Sequence, residues 1–202
     1  MREVTPIIVT AITTKPVIKM GGGLNLAAIL AWARAEELDL PPPKDHPMPI
    51  DVPLVCLWRD DAGWPLWAAT DLYPIGPQTE HRQWLHRRYP ADRAMLARSM
   101  KVNLAAGPYK ERRVLVYGIS CQTWRAAALA EDVAEVDRLL SRVQVLGART
   151  AAGFGCVSEW RIERAADIDA DFILARRSVP VASGLRTGTG EMLPWTPPYW
   201  HH

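Results

Sequence analysis

A glycine-rich segment late in the chain has the residue types of an anion-binding loop. Residues 146–157 read LGARTAAGFGCV and place Gly147, Gly153 and Gly155 within nine residues. Glycine permits positive φ and close backbone approach, and successive amide N–H groups in such a loop can form a concave site for phosphate. Arg149 adds a planar guanidinium that pairs with phosphate oxygens. The same glycines also fit a plain structural turn, so both interpretations stay open.

The loop does not match the common nucleotide-binding motifs. A Walker loop needs Gly-Lys followed by Ser or Thr at the start of a helix, and a dinucleotide loop follows a strand and opens a helix. Here the loop follows a predicted helix and enters a predicted strand. No three or four His, Cys, Asp or Glu residues have the spacing of metal ligands either. The sequence therefore predicts no cofactor and no metal.

The positive charge of the chain is concentrated in one block. From Glu80 to Arg113 there are nine Arg or Lys against three acids, a local net charge of +6 in a chain whose formal net charge is +2. Clustered cations neutralise the phosphates of polyanions, although a solvated surface is the alternative. The candidate phosphate contacts in this block are Arg82, His86, Arg87, Arg88, Lys101, Lys110, Arg112 and Arg113.

Composition limits the class of protein. With 202 residues, 49% of them apolar and 23% charged, the chain is expected to form one folded domain. We expect no membrane partner and a cytoplasmic location, because no apolar run approaches roughly 20 residues and no signal peptide is recognisable. The three cysteines are far apart, which disfavours a disulfide framework. Nine Trp against two Phe suggest that one or two exposed indoles stack on a ligand.

Hydrophobic periodicity predicts the elements that position these residues. Apolar residues recur at helical spacing in two segments, and runs rich in β-branched residues indicate strands. The predicted order is a strand at 4–13, a helix at 25–38, short strands at 54–58 and 64–70, a strand at 114–120, a helix at 131–143 and a strand ending near Glu163.

This order predicts an α+β fold of the ferredoxin-like (RRM-like) kind, an antiparallel sheet with two helices on one face. We expect residues 1–177 to form that domain, with a basic insertion at about 74–113 that contains some helix at 91–101. Residues 178–202 are rich in Pro, Gly and Trp and predict an irregular C-terminal tail.

The sequence resembles the RAMP superfamily of CRISPR-associated RNA-binding proteins. The pattern G-x-R-x-x-x-G-x-G-x-V after a leucine-rich helix (VDRLLSRVQVLGARTAAGFGCVSEWRIE) is similar to the signature of that superfamily. The segments LNLAAILAWARAEEL and PWTPPYW narrow the resemblance to the Cas-five family, as the small RAMP subunit of type IV effector complexes. The resemblance covers most of the chain and is weakest between about residues 40 and 113.

The resemblance implies a non-catalytic subunit that caps a guide-RNA filament and holds the 5′ handle of the crRNA. The implied partners are crRNA, a Cas-seven-like backbone subunit and the type IV large subunit, with contact to target DNA left open. The basic insertion would be a thumb-like RNA contact. The loop residues implied in RNA binding are Gly147, Arg149, Gly153, Phe154 and Gly155.

A metal-independent endoribonuclease that processes guide-RNA precursors is the alternative function. Such enzymes need a general base and acid near the reacting 2′-OH. Some relatives carry His at the start of the first helix, whereas this chain has Asn25, which favours binding without cleavage. His81, His86 and Lys101 could supply such groups but are more simply phosphate contacts, so we expect no catalytic residues.

Overall fold

The computed structural model describes residues 3–18, 24–40, 49–61, 63–87 and 112–176. Within these ranges the fold is α+β, as predicted, with antiparallel sheets and few helices. The elements in chain order are β1 (Thr5–Thr13), α1 (Leu26–Glu37), β2 (Cys56–Arg59), β3 (Pro65–Trp67), β4 (Tyr73–Ile75), β5 (Thr79–Arg87), β6 (Arg112–Ser120), β7 (Thr123–Ala130), α2 (Val133–Leu140), a 3-10 turn (Thr150–Ala152), β8 (Val157–Arg164) and α3 (Ala170–Leu174).

A four-stranded sheet in the order β4-β7-β1-β8 forms the centre of the fold. All three strand pairings are antiparallel, and Val9 of β1 lies between Ala126 of β7 and Ile162 of β8. α1 follows β1 in the chain, and α2 joins β7 to β8. β2 pairs with β3, and β5 pairs with β6, in two further two-stranded sheets.

Both predicted helices form, with side-chain caps at their N-termini. The Asn25 carboxamide oxygen accepts from the N–H groups of Ala27 and Ala28, and Asp132 accepts from the N–H of Glu135. Such caps satisfy N–H groups that have no partner inside the helix. Asn25 therefore has a structural role at the start of α1.

One face of the sheet packs against α1 and α2 in the main core. Ile7, Val9 and Ala11 of β1 are fully buried there, together with Trp124 of β7. Because side chains alternate between the two faces of a strand, these odd-numbered residues of β1 mark the helix-bearing face. The helices contribute their apolar sides to the same cluster, including Leu30 and Leu139.

Four charged residues connect the two helices on their outer side. Arg34 contacts Glu135 (2.6 Å), and Arg138 contacts both Glu135 (2.5 Å) and Glu37 (2.5 Å). The hydrogen bonds from Arg138 and Arg34 lower the pKa of Glu135 to about 2, so this carboxylate stays ionised well into the acid range. The network fixes α1 and α2 side by side over the sheet.

The opposite face of the sheet is covered over only part of its area. Ile168 and Ile173, from the segment around α3, bury Ala127 and Leu129 of β7 in a second cluster. The β2–β3 pair contributes Leu57 to its edge. Nearer the start of β7, the Tyr73 hydroxyl donates to the Arg176 carbonyl, so the segment after α3 also reaches this part of the face.

The sequence pattern predicts no strand at β7, yet β7 is a central strand. Its sequence TWRAAALA contains four alanines, which have low β propensity. The small side chains suit a strand that packs on both faces, because Ala126 and Ala128 face the helices while Ala127 faces the second cluster. Tertiary packing therefore determines the strand here, and local propensity does not.

The basic segment also contains more regular structure than its sequence predicts. The strand expected at Val114–Ser120 lies within β6, but it pairs with β5 and not with the four-stranded sheet. β5 itself occupies residues to which the pattern assigned no strand. The helix expected at 91–101 and the tail 178–202 lie outside the described residues. No helix in the described part of the chain has the length and apolar character needed to span a bilayer.

Candidate nucleic-acid interface

β5 and β6 form a two-stranded ribbon, nine residues long on each strand, that carries the whole described part of the basic block. The register pairs Arg82 with Tyr117, Trp84 with Leu115 and His86 with Arg113. Directly opposed residues share one face of an antiparallel pair. We call this face the outer face of the ribbon; its members are Glu80, Arg82, Trp84, His86, Arg113, Leu115, Tyr117 and Ile119.

The outer face combines exposed aromatic rings with arginines that lie over them. Trp84 is 53% exposed and Tyr117 is 56% exposed. The Arg113 guanidinium carbon is 5.7 Å from the Trp84 ring centroid, and that of Arg82 is 5.6 Å from the Tyr117 ring centroid. Each ring therefore has a cation beside it and keeps more than half of its residue surface accessible, an arrangement suited to stacking against a planar ligand.

Glu80 lowers the positive charge at the end of this face that is nearest the four-stranded sheet. Its carboxylate pairs with Arg82 at 2.8 Å, and this hydrogen bond raises the pKa of Arg82. Arg113 has no ion pair with a carboxylate among the described residues. The positive potential is consequently stronger toward the Arg113 end of the ribbon.

The inner face of the ribbon packs against the glycine-rich loop. Val116 and Phe154 are each 5% exposed and form a cluster with Ile18. The His81 ring meets the Phe154 ring edge-on, with 5.7 Å between centroids. Phe154, a predicted RNA contact, therefore has its ring buried between ribbon and loop, where it cannot stack on a base in this conformation.

Backbone hydrogen bonds already occupy several N–H groups of the glycine-rich loop, four of them at its centre. Gly155 donates to the Pro16 carbonyl (2.9 Å) and Ala148 donates to that of Ile18 (2.9 Å). Within the loop, the N–H groups of Ala152 and Gly153 donate to the carbonyls of Arg149 and Thr150 (2.9 and 2.8 Å). These four amides are not available to form the phosphate cradle that the glycine pattern suggested.

Two of the loop glycines are required by close backbone contact. A Cβ on Gly155 would lie 1.8 Å from the Leu146 carbonyl oxygen, and one on Gly147 would lie 2.5 Å from that of Ile18. Gly153 differs, because it has a φ of +82° but open space around the Cβ position. Arg149 also has positive φ (61°), and its side chain is exposed to solvent. The loop can thus offer a ligand the Arg149 side chain.

The structure places only part of the predicted site. Arg82, His86 and Arg113 share the outer face, and Arg87 pairs with Arg112 in the ribbon register farthest from the sheet. Arg149 and Gly153 lie in an exposed turn, whereas Gly147 and Gly155 serve the backbone contacts above. The predicted contacts outside the described residues are Arg88, Lys101 and Lys110.

Trp84 and Tyr117 were not among the predicted site residues. The signal that could have identified Trp84 is the alternation Arg82, Trp84, His86, which puts a cation, an indole and an imidazole on one side of a strand. Tyr117 becomes recognisable only through its register with Arg82 across the ribbon. That pairing joins residues far apart in the chain.

A groove beside the exposed edge of β8 is a poorer place for a nucleic acid. Its volume is about 600 Å³, and its lining includes Asp137, Ser141, Cys156, Glu159 and Trp160. Asp137 would repel phosphate, and Glu159 is already paired with Arg161. Among the described residues, no group of three or more His, Cys, Asp or Glu side chains is placed to hold a metal ion.

The chain resembles several solved structures but no known family. No family model matches the chain, and no curated protein matches it. The chain is similar to one in a solved structure described as "Cryo-EM structure of the Type III-B Cmr-beta bound to cognate target RNA", with 13% sequence identity and a TM-score of 0.45. The match covers 81% of this chain and 62% of that chain. This protein therefore spans less than two thirds of the length of that neighbour.

Proposed function

We propose that this protein is a non-catalytic crRNA-binding subunit of a type IV CRISPR effector complex, and that it holds the 5′ handle of the guide RNA at one end of the backbone filament. The observation that carries the RNA-binding part is the outer face of the ribbon. The subunit type and the handle rest on the sequence resemblance to the Cas-five family.

The chemistry of the outer face favours an unpaired RNA strand over a duplex. Bases stack on aromatic rings only when they are unstacked from their neighbours, as in single strands and loops. Trp84 and Tyr117 offer two such rings, and their residues are more than half exposed. Arg113 and Arg82 lie beside the rings, where each can meet the phosphate of a stacked nucleotide.

The topology supports a ferredoxin-like fold as the scaffold. The order β4-β7-β1-β8, with α1 after β1 and α2 between β7 and β8, corresponds to two interleaved β-α-β units. The ribbon is inserted between the neighbouring sheet strands β4 and β7. A long insertion at that point can reach beyond the sheet without disturbing its core.

The proposed partners follow from the same role. A subunit at the end of a crRNA filament meets the RNA, the adjacent Cas-seven-like backbone subunit and the type IV large subunit, in the cytoplasm. Capture of the tagged protein from its host cells, followed by sequencing of the bound RNA, tests this assignment. We expect repeat-derived 5′ handles, and recovery of RNA without such handles would contradict it.

Salt-dependent RNA binding tests the ribbon directly. In the double variant Arg82→Ala/Arg113→Ala we expect weaker binding of single-stranded RNA. The slope of log K against log salt should fall by about 1.4, or about 0.7 for each of two lost phosphate contacts. The matched control is Arg142→Ala/Arg164→Ala, which removes the same charge from exposed positions outside the ribbon. An equal decrease in both variants would mean that only net charge matters.

A denaturing gel of labelled repeat RNA, incubated with the protein in EDTA, tests the non-catalytic part. We expect intact RNA at protein concentrations that saturate binding. Specific cleavage that persists in EDTA would replace the proposal with the endoribonuclease function, and His86 on the outer face would be the first residue to substitute.

A further inference from the structure

The sheet face opposite α1 and α2 contains a row of polar side chains in which Thr10 is buried and its neighbours Arg125 and Arg161 are exposed. The register aligns Tyr73 of β4, Arg125 of β7, Thr10 of β1 and Arg161 of β8 across all four strands. These residues alternate with the core residues of the same strands, so they lie on the side away from the helices. We call them the sheet-face row.

The two arginines of the row flank its centre. Neighbouring strands are about 4.8 Å apart, so Arg125 and Arg161 start from backbone positions separated by roughly 10 Å, with β1 between them. Both residues are exposed. Arg125 forms no ion pair with any described carboxylate. Arg161 makes two contacts with Glu159, at 2.7 and 2.8 Å, and Glu163 is a second carboxylate near it.

Thr10, at the centre of the row, has a buried hydroxyl group without a hydrogen-bond partner. The residue is 4% exposed, and its Oγ1 is the one described buried side-chain N or O atom that lacks such a partner. A buried hydroxyl in this condition is unfavourable, and native proteins rarely keep one without a reason. It lies between two guanidinium-bearing side chains, where an anion could accept a hydrogen bond from all three.

We infer that the sheet-face row binds a phosphate group of the RNA backbone, with Arg125 and Arg161 as the charged contacts and the Thr10 hydroxyl as the central donor. The exposed arginine side chains can swing outward to the anion and uncover the hydroxyl. This inference rests on the proposed RNA-binding function and adds a second contact to it, separate from the ribbon.

The place of the row in the fold supports one continuous RNA path. The ribbon leaves the sheet after β4, which carries Tyr73, and returns at the start of β7, which carries Arg125. Three residues separate β4 from β5, and two separate β6 from β7. A strand of RNA bound along the ribbon therefore reaches the row within a few nucleotides.

The decisive variant is Arg125→Ala/Arg161→Ala, measured by the anisotropy of labelled single-stranded RNA over a salt series. We expect the slope of log K against log salt to fall by about 0.7, because one neutralised phosphate is lost with the site. The same Arg142→Ala/Arg164→Ala protein is the control for net charge. Normal affinity and slope in the sheet-face variant would overturn the inference.

Two further variants give signals that a structural role would not produce. Glu159→Gln releases Arg161 from its carboxylate, so RNA affinity should rise above that of the wild type. Thr10→Val keeps the shape of the side chain and removes the unpaired hydroxyl, so thermal stability should be equal or higher while RNA affinity falls. A Thr10→Val protein with unchanged affinity would show that the hydroxyl does not meet phosphate.

The same measurements separate failure of this inference from failure of the proposed function. Absence of specific RNA binding by the wild-type chain would refute the function itself. Binding that is lost in Arg82→Ala/Arg113→Ala but retained in Arg125→Ala/Arg161→Ala would leave the function in place and refute the sheet-face row.

Discussion

The glycine-rich loop and the outer face of the ribbon lie on two sides of the same β-strands, but their residues serve different purposes. In the loop, Gly155 and Ala148 donate their N–H groups to the carbonyls of Pro16 and Ile18, in the segment after β1. On the outer face, Trp84 and Arg113 contact each other and solvent. The loop glycines allow close backbone contacts with the neighbouring segment, whereas the aromatic and arginine side chains of the outer face stay accessible to a ligand.

This difference changes the interpretation of the glycine pattern. A motif of three glycines around an arginine suggests a phosphate site when it is viewed alone, because glycine-rich loops often expose amides. Here the carbonyls of Pro16 and Ile18, in the segment after β1, accept from two of the amides that an anion would need. The accessible chemistry is on the ribbon that the loop supports.

The largest effect that tests this comparison is loss of stability at Gly155. A Cβ there would lie 1.8 Å from the Leu146 carbonyl oxygen, in a residue with φ of +67°. We expect Gly155→Ala to lower the free energy of unfolding by about 3–5 kcal/mol, from steric overlap and left-handed strain together. Denaturant unfolding measures it.

Gly153→Ala is the matched control within the loop. Its φ is +82°, but nothing lies near the Cβ position, so only backbone strain acts and we expect a loss of about 1 kcal/mol. RNA affinity per folded molecule should be unchanged in both variants. A Gly155→Ala protein that keeps wild-type stability and loses RNA binding would make the loop the binding site after all.

Local sequence signals were sufficient to predict α1 and β1. α1 is recognisable because Asn25 caps it and apolar residues recur at helical spacing behind the cap. β1 is recognisable from its β-branched residues. The order of these elements was enough to predict the α+β class.

Long-range pairing determined what the sequence could not predict. β7 is rich in alanine and becomes a strand because β1 and β4 flank it. The Arg82–Tyr117 pair and the sheet-face row exist only through cross-strand register, which joins residues such as Thr10 and Arg125 that are far apart in the chain. Candidate cations could thus be chosen from sequence, but the surface they share could not.

An intermediate effect is expected on the outer face. Trp84→Ala should weaken binding of single-stranded RNA about tenfold or more, since stacking of one base contributes about 1–3 kcal/mol. Trp84→Phe keeps a stacking ring and should restore much of the affinity. Anisotropy of labelled RNA is the suitable measurement, because the nine Trp residues complicate intrinsic fluorescence.

Trp32 on α1 provides the control for this prediction. It is 49% exposed, close to the 53% of Trp84, but it lies on a helix away from the ribbon. We expect Trp32→Ala to leave RNA affinity unchanged. Equal affinity for Trp84→Ala and the wild type would mean that the outer face does not stack bases.

The smallest effect on stability is expected at Arg149, the loop residue that remains free to contact RNA. Its φ of 61° is unfavourable for a residue with a side chain. Arg149→Ala keeps that strain and should leave stability nearly unchanged. Arg149→Gly relieves roughly 1 kcal/mol of strain and loses a similar amount, about 0.4–1 kcal/mol, to the greater entropy of the unfolded chain. Both variants lose the same charge, so if Arg149 contacts a phosphate they should lower RNA affinity and its salt dependence equally. If both variants bind RNA as the wild type does, the Arg149 side chain contacts no RNA and the loop only supports the ribbon. If only one variant binds more weakly, RNA binding depends on the conformation of the loop and not on the charge of Arg149.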